Sequence, residues 1–274
     1  MTTNWLFAIR SRVPRSAAVV LGLVPILVVI LLWWIFTKGA PEERLLGPTI
    51  LPSPAEVFAS VSDLLFTTDV DSRSLFDHIG LSLRRVGLGY ALALAVVLPL
   101  GILMGAFGSV RVTFDPVMTA SGYIPIATLV PLTMSWFGLG EVQKVVFLAM
   151  AFAIYLLPLV IAAIDSVPDV YLRTAYTLGA NRWHIIRRVL VPVAFPEIWQ
   201  SMRLAFGIGW TYLVLAEVVV KTGGLGDLID TARRRALSGR VYLVIVIITL
   251  IAWVADMIWS RLGDLIFPYR RSRA

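Results

Sequence analysis

The residues best placed to do chemistry in this sequence are carboxylates and arginines set among apolar runs. Glu217 and Asp256 fall inside stretches that are otherwise nearly uncharged, while Arg182, Arg187 and Arg188 cluster between two such stretches. A charge within a long apolar stretch is expensive in hydrocarbon and must face protein or water. What these groups fail to assemble is equally informative. With no cysteine, disulfides, thiolate metal sites and thiol catalysis are excluded. The two histidines, His78 and His184, are too far apart and too differently placed to form a metal pair, so no metal site is expected. No paired intramembrane carboxylates offer a general acid and base. The chain also lacks a G-x-x-x-x-G-K-[ST] phosphate loop, so it has no visible means of binding ATP. These residues describe no enzyme and call for no cofactor in this chain.

The elements that position these groups follow from composition. Of 274 residues, 58% are hydrophobic and 15% charged. A soluble domain carries about 25% charged residues, so the expected solvent is a bilayer. Basic residues outnumber acidic ones by 24 to 17. The arginines fall between apolar stretches, where headgroup contact and topology control explain them better than nucleic acid does. Uncharged or nearly uncharged runs extend over Ser16 to Thr37, Val86 to Val110, Pro116 to Gly140, Val145 to Ile164, Ile198 to Val220 and Val241 to Ser260. Each suffices to cross a hydrocarbon core of about 30 Å. The expected fold is therefore all-α and integral to the membrane, with six transmembrane helices in a single domain over residues 1–274.

The first run, 16–37, follows Arg10, Arg12 and Arg15 but is too long for a signal peptide, and Trp33-Trp34 stands where an interfacial anchor belongs. It is expected to be a retained anchor helix. The positive-inside rule then places the N-terminus in the cytoplasm, and six spans bring the C-terminal arginines Arg261, Arg270, Arg271 and Arg273 to the same side.

On this topology, residues 38–85 lie outside. Within them Ser53-Pro54-Ala55-Glu56 reads as a helix start, with Ser as N-cap, Pro at N1 and Glu closing a capping box. Val57, Val61, Leu64 and Leu65 share a face of the amphipathic helix that follows. Arg84 and Arg85, at the outer end of the second span, suit a solute anion and suit lipid phosphate equally. In the third span Ser121, Tyr123, Pro125, Thr128, Pro131, Thr133 and Ser135 interrupt the apolar run. They can line a translocation path or serve helix packing. Glu217 is a further path candidate near the end of its span, with a structural role as the alternative. Asp256 has Arg261 as its expected partner. The glycines at 223, 224 and 226 indicate a re-entrant turn followed by a short helix.

Between the fourth and fifth spans, residues 165–203 hold the densest pattern. A helix over Asp169 to Leu178 is followed by Gly179, which accepts a left-handed conformation cheaply. Asn181 then caps a second helix, Arg182 to Leu190, with Pro192 as its stop. Ile185, Ile186 and Val189 oppose the arginines on it. Such a lever can dock on a cytoplasmic partner or touch anionic lipid.

This loop resembles the inner-loop signature of binding-protein-dependent ABC transporter permeases, E-A-A, three residues, G, then a hydrophobic–x–L-P ending. Ala175, Gly179, Val189 and Pro192 fall on that pattern; Arg173 replaces its glutamate, Thr174 its first alanine and Val191 its leucine. Further segments are similar to the nitrate, sulfonate, bicarbonate and taurine branch: ILPSPAEVF (50–58), SLRRVGLGYALALAVVLPLGILMG (82–105), WFGLGE (136–141), TLGANRWHIIRRVLVPVAFP (177–196) and GGLGDLI (223–229).

The resemblance implies the transmembrane-domain fold of a type I ABC importer, with a permease core over 82–262 and a periplasmic segment over 38–85. It implies a bacterial inner-membrane protein that works with a second copy of itself, a separate ATP-binding subunit that handles ATP and magnesium, and a periplasmic or lipid-anchored solute-binding protein. Arg173, Thr174, Ala175, Gly179, Ala180, Asn181, Arg182 and Pro192 would then couple to the ATPase. The implied cargo is a small oxyanion such as nitrate, bicarbonate, a sulfonate or taurine. An aromatic vitamin precursor is the alternative cargo, and an ion-gradient-driven secondary carrier the alternative machine.

Overall fold

The computed structural model describes residues 13–269 except 41, 43, 45 and 67–72; Arg10, Arg12, Arg270, Arg271 and Arg273 lie outside the described residues. Among the described residues eleven α-helices follow one another: α1 (Arg15–Phe36), α2 (Pro54–Phe66), α3 (Leu75–Ala106), α4 (Gly108–Gly122), α5 (Leu129–Phe137), α6 (Glu141–Asp165), α7 (Asp169–Thr177), α8 (Arg182–Ile185), α9 (Val191–Val219), α10 (Leu225–Arg234) and α11 (Ser238–Ile266). Among the described residues five helices are long and apolar enough to cross a membrane, and six spans result if the bent pair α4 and α5 counts as one.

The chain divides into two units, one formed by residues 1–67 and 232–243, the other by 68–231 and 244–274. In the smaller unit α1 is apolar on every side, as a helix surrounded by lipid must be. The capping box at α2 forms as the sequence indicates. Ser53 N–H donates to Glu56 at 2.8 Å, and Glu56 N–H donates to Ser53 Oγ at 3.3 Å. Arg44 adds an ion pair to Glu56 at 2.8 Å. Partial burial works against it, but these bonds hold the Glu56 carboxyl below the ordinary carboxylate range. Val57 and Leu64 are buried, whereas Leu65 at the edge of that face is exposed.

The larger unit is built on α6, which packs α3 on one side and α9 on the other. Its core gathers Tyr90 and Val97 of α3, Phe152 and Leu156 of α6, and Trp210 and Leu213 of α9. Close approach of α3 to α6 depends on small residues. A methyl group at Gly101 would lie 2.7 Å from Val160, and one at Gly105 would lie 2.5 Å from Ile164. Without a hydrophobic drive between helices in lipid, such contact supplies much of the association. Residues 244–266 of α11 add Ile251, Ala255 and Trp259 to this core.

Several boundaries differ from those expected. The second span begins at Leu75 rather than Val86, because Asp77 closes a capping box with Ser74 and because His78 and Arg85 are buried among protein partners. Polar residues with internal partners extend a helix that hydropathy alone cuts short. The third span is broken: α4 and α5 meet at 90° across residues 123–128. Pro125 offers no N–H at the bend, and Thr128 Oγ1 donates back to its carbonyl at 2.7 Å.

Pro192 does not stop the helix after Asn181. A widened π-turn, Ile186–Leu190, joins α8 to α9, and the helical path runs from Arg182 to Val219. The wide turn ends just before Pro192, where the helix must accommodate a ring and a missing N–H. Asp256 pairs with Arg203, not Arg261, through two hydrogen bonds of 2.6 Å each. The sixth span starts three residues before the expected run, at Ser238, and ends six residues after it, at Ile266.

The α3–α6 contact predicts the outcome of enlarging its smallest residue. Gly101→Val overpacks the site and costs roughly 1–3 kcal/mol, read as a lowered unfolding midpoint of the detergent-solubilised protein. An unchanged midpoint would show that the helices are not held this closely.

Candidate functional site

The larger unit carries two functional ends. At one, α6 finishes and α9 begins; at the other, α3 and α6 begin and α9 finishes. The ends lie about 36 Å apart along the 25 residues of α6, at about 1.5 Å per residue.

The first end is the lever. Helix α7 ends in a full Schellman motif. Gly179 N–H donates to Tyr176 C=O at 3.0 Å and Ala180 N–H to Ala175 C=O at 3.1 Å, with Gly179 at φ +76°. Asn181 Oδ1 accepts from His184 N–H at 2.8 Å and starts the next helix. The chain thus turns sharply at a position that only glycine occupies without strain. Arg173 is exposed and lies 3.8 Å from Asp169 on the same helix. Thr174 Oγ1 donates to Val170 C=O at 2.8 Å, Ala175 is buried beneath them, and Arg182 is exposed.

Pro192 stands inside α9, beyond the lever proper, although the sequence pattern groups it with these residues. Val170, Tyr171, Tyr176, Leu178 and Trp183 are exposed apolar residues on the lever, Leu178 at 81% and Trp183 at 67%. Sequence periodicity singled out the arginines and missed this apolar surface. The signal available was the run of aromatic residues on a short, otherwise polar segment.

Beneath the lever lies a cleft of about 430 Å³, lined by Phe107, Gly108, Asp165, Tyr176 and Arg182 among others. An ion pair of 2.8 Å between Arg111 and Asp165 and an edge-to-face contact between Phe107 and Trp183 tie the lever's base to the corner between α3 and α4.

The second end is an ion clamp that sequence reading did not assemble. Arg85 of α3, only 1% exposed, donates to Glu217 of α9 at 2.6 Å and to Glu141 of α6 through Nε at 2.8 Å and Nη2 at 2.5 Å. Glu217 is fully buried. It also accepts from Ser82 Oγ at 2.8 Å and from Gly226 N–H at 2.8 Å, at the start of α10. A carboxylate is favoured there by the helix dipole and free amides.

Arg85 also reaches the carbonyl of Gly223 at 2.6 Å, and Lys144 reaches Thr222 Oγ1 at 2.7 Å. Gly224, at φ +111°, lies so close to Glu217 and Arg85 that any side chain would collide with both. The expected turn and short helix at 223–234 are therefore present, pinned by charge. Arg85 is occupied by protein partners and is closed to a solute anion.

The path candidates separate. Thr133 and Glu217 are fully buried, Thr133 bonded to the carbonyls of Leu129 and Val130 and to Gln143. Tyr123, Thr128 and Ser135 lie exposed along the broken span. Ser121 lines an apolar cavity of about 270 Å³ with its hydroxyl turned to Met118 C=O at 2.7 Å. Among the described residues no cluster of three or more metal-ligating side chains occurs.

Residues 97–271 match the family described as the binding-protein-dependent transport system inner membrane component. The chain belongs to that family. It is 30% identical over 249 residues to the taurine transport system permease protein TauC of Escherichia coli, covering 91% of this chain and 89% of that one. It is 28% identical over 227 residues to the putative aliphatic sulfonates transport permease protein SsuC of Bacillus subtilis, covering 82% and 79%. A chain from inward-facing conformations of the MetNI methionine ABC transporter superposes with a TM-score of 0.64 at 18% identity, over 70% of this chain and 95% of that one.

The importer permease fold expected from the sequence is thus the fold present, in a multi-pass inner-membrane protein. Membership makes this chain the membrane component of an ABC importer, with ATP hydrolysis in a separate subunit and solute delivered by a binding protein.

Breaking one partner of a buried ion pair leaves an uncompensated charge and costs roughly 3–5 kcal/mol. Glu217→Ala should therefore lower the thermal midpoint of the purified protein sharply. Arg85→Met combined with Glu217→Met should recover much of that loss. Additive losses in the double variant would show that the two residues do not act as a pair.

Proposed function

We propose that this chain imports a small oxyanion, with sulfonates and taurine foremost, as a two-fold pair of identical subunits carrying two ATP-binding subunits. Similarity to TauC and SsuC supports the cargo class. Both termini lie in the cytoplasm, so residues 38–74 and the clamp face the periplasm and the lever faces the ATPase. The arginines before the first span support this orientation through the positive-inside rule.

The observation that carries the coupling role is the glycine-turned lever with its exposed apolar residues. Arg173, Thr174, Ala175, Gly179, Ala180, Asn181 and Arg182 shape and present it; Pro192 transmits its motion into α9. Leu178 and Trp183 fill a groove on the ATPase, so apolar burial takes the place of the acidic contact that Arg173 removes. ATP-driven closure of the two ATPases moves the levers and opens the spans alternately to either side. The solute passes the broken span, along Ser121, Tyr123, Thr128 and Ser135, while Thr133 and Glu217 hold the scaffold. The first helix, residues 16–37, is a retained anchor, and α2 is the amphipathic helix of the periplasmic segment.

Reconstitution with the ATP-binding subunit and the solute-binding protein tests this reading. ATP-dependent uptake of taurine, an alkanesulfonate or nitrate is expected. Uptake confined to an aromatic vitamin precursor, or driven by an ion gradient without ATP, would overturn it. Among the described residues nothing within 4 Å opposes a side chain at Gly179, so a bulky residue there acts through backbone strain and the partner's groove. Gly179→Leu should insert in the membrane normally and lose both uptake and solute-stimulated ATP hydrolysis. Uptake at the original rate would rule out the lever.

A further inference from the structure

The broken span, α6 and α9 border an open cavity of about 670 Å³, lined by Gly122 and Pro125 at the break, Tyr155 and Pro158 of α6, and Ile208 and Tyr212 of α9, together with other apolar side chains. Inside a membrane, non-helical backbone is tolerated only where it is buried in protein or borders water. The break between α4 and α5 borders this cavity, and water filling it would meet that condition. Pro158 has no N–H to give to the carbonyl one turn earlier, that of Ile154, which belongs to the same wall.

The polar side chains in the wall are two phenols. Tyr155 and Tyr212 place their hydroxyls 2.9 Å apart, with rings stacked at 6.1 Å. In the empty pair one hydroxyl donates to the other, so a single O–H is left to aim at the cavity. An entering anion can accept both. Among the described residues no ionisable group other than these phenols lines the wall. Neutral donors favour an anion over a cation, and without a fixed positive charge they hold it weakly. A transit site needs that balance, since a solute held by arginine would not leave.

We propose that the Tyr155–Tyr212 hydroxyl pair is the solute-selecting contact of the translocation path, donating two hydrogen bonds to one oxyanion group of the cargo. The assignment rests on the oxyanion-importer reading above and specifies where, and by which atoms, the solute is recognised inside the membrane. Of the path candidates read from the sequence, Pro125 lies in this wall and the polar ones do not. Tyr155 and Tyr212 come from different spans, and only the packing of α6 on α9 brings them together.

The test is uptake by the assembled complex in proteoliposomes, with taurine, ethanesulfonate and nitrate as probes, comparing the original chain with Tyr155→Phe, Tyr212→Phe and the double variant. Phenylalanine keeps the rings and removes only the hydroxyls. Loss of both hydrogen bonds to a charged group should lower the uptake rate of the double variant by about tenfold to a hundredfold. Assembly with the ATPase and ATP hydrolysis in the absence of solute should be unchanged.

Uptake by the double variant at the original rate would overturn the assignment while leaving the importer reading intact. An original chain that moves none of the three probes would overturn both. A second measurement uses the absence of native cysteine. Ile208→Cys should react with a sulfonate-bearing thiosulfonate reagent, and an imported probe should slow that reaction. A thiol that never reacts would mean the cavity is dry or lipid-filled and would also sink the proposal.

Discussion

Arg85 cannot be left unpaired in a membrane, and much of the larger unit is arranged around that fact. Its guanidinium is shared by carboxylates from two further helices, Glu141 of α6 and Glu217 of α9. A buried charge left alone would cost several kcal/mol, and a pair with remaining hydrogen bonds unmet would cost nearly as much. Here the remaining bonds are met. Ser82, Thr222, the Gly223 carbonyl and the Gly226 amide complete the set. One consequence is geometric: three spans are fastened at one end and the 223–226 loop is folded against them. Such a clamp makes that end of the bundle a rigid reference.

In the proposed importer the opposite end is the one that another protein moves. A nine-residue helix, α7, is turned by Gly179 and tied back through Arg111–Asp165. It offers apolar side chains to water, a cost that a lone subunit has no reason to bear. The path from Arg182 is helical through Val219, so in the proposed importer a push on the lever enters α9 directly and meets the clamp at Glu217. Strain between a driven end and a held end is a physical route from ATP hydrolysis to rearranged spans. The break between α4 and α5, with its cavity against α6 and α9, lies beside that route.

The sequence made some of this legible and hid the rest for identifiable reasons. Local signals survived folding: the Ser53–Glu56 box, the Gly179 turn and the Asn181 cap each depend on residues a few positions apart. Long apolar runs likewise marked the spans, because lipid imposes their length whatever the tertiary contacts. Failures came where a distant partner changes the value of a residue. Arg85 counted as a charge outside a span until Glu141 and Glu217, far along the chain, were placed beside it. Pro192 counted as a stop because the widened turn before it is invisible to pattern. Tyr155 and Tyr212 passed as ordinary aromatic residues on two spans; their 2.9 Å contact exists only after α6 and α9 pack.

The most direct measurement is a cross-link from the lever in native membranes. With no other cysteine in the chain, Leu178→Cys can carry a single photo-reactive label at the exposed tip of the lever. One protein adduct is expected, to a cytoplasmic subunit bearing a phosphate-loop motif, formed more or less readily as ATP is added or withdrawn. Adducts confined to lipid, or to a periplasmic protein, would contradict both the orientation and the coupling of this chain to an ATPase.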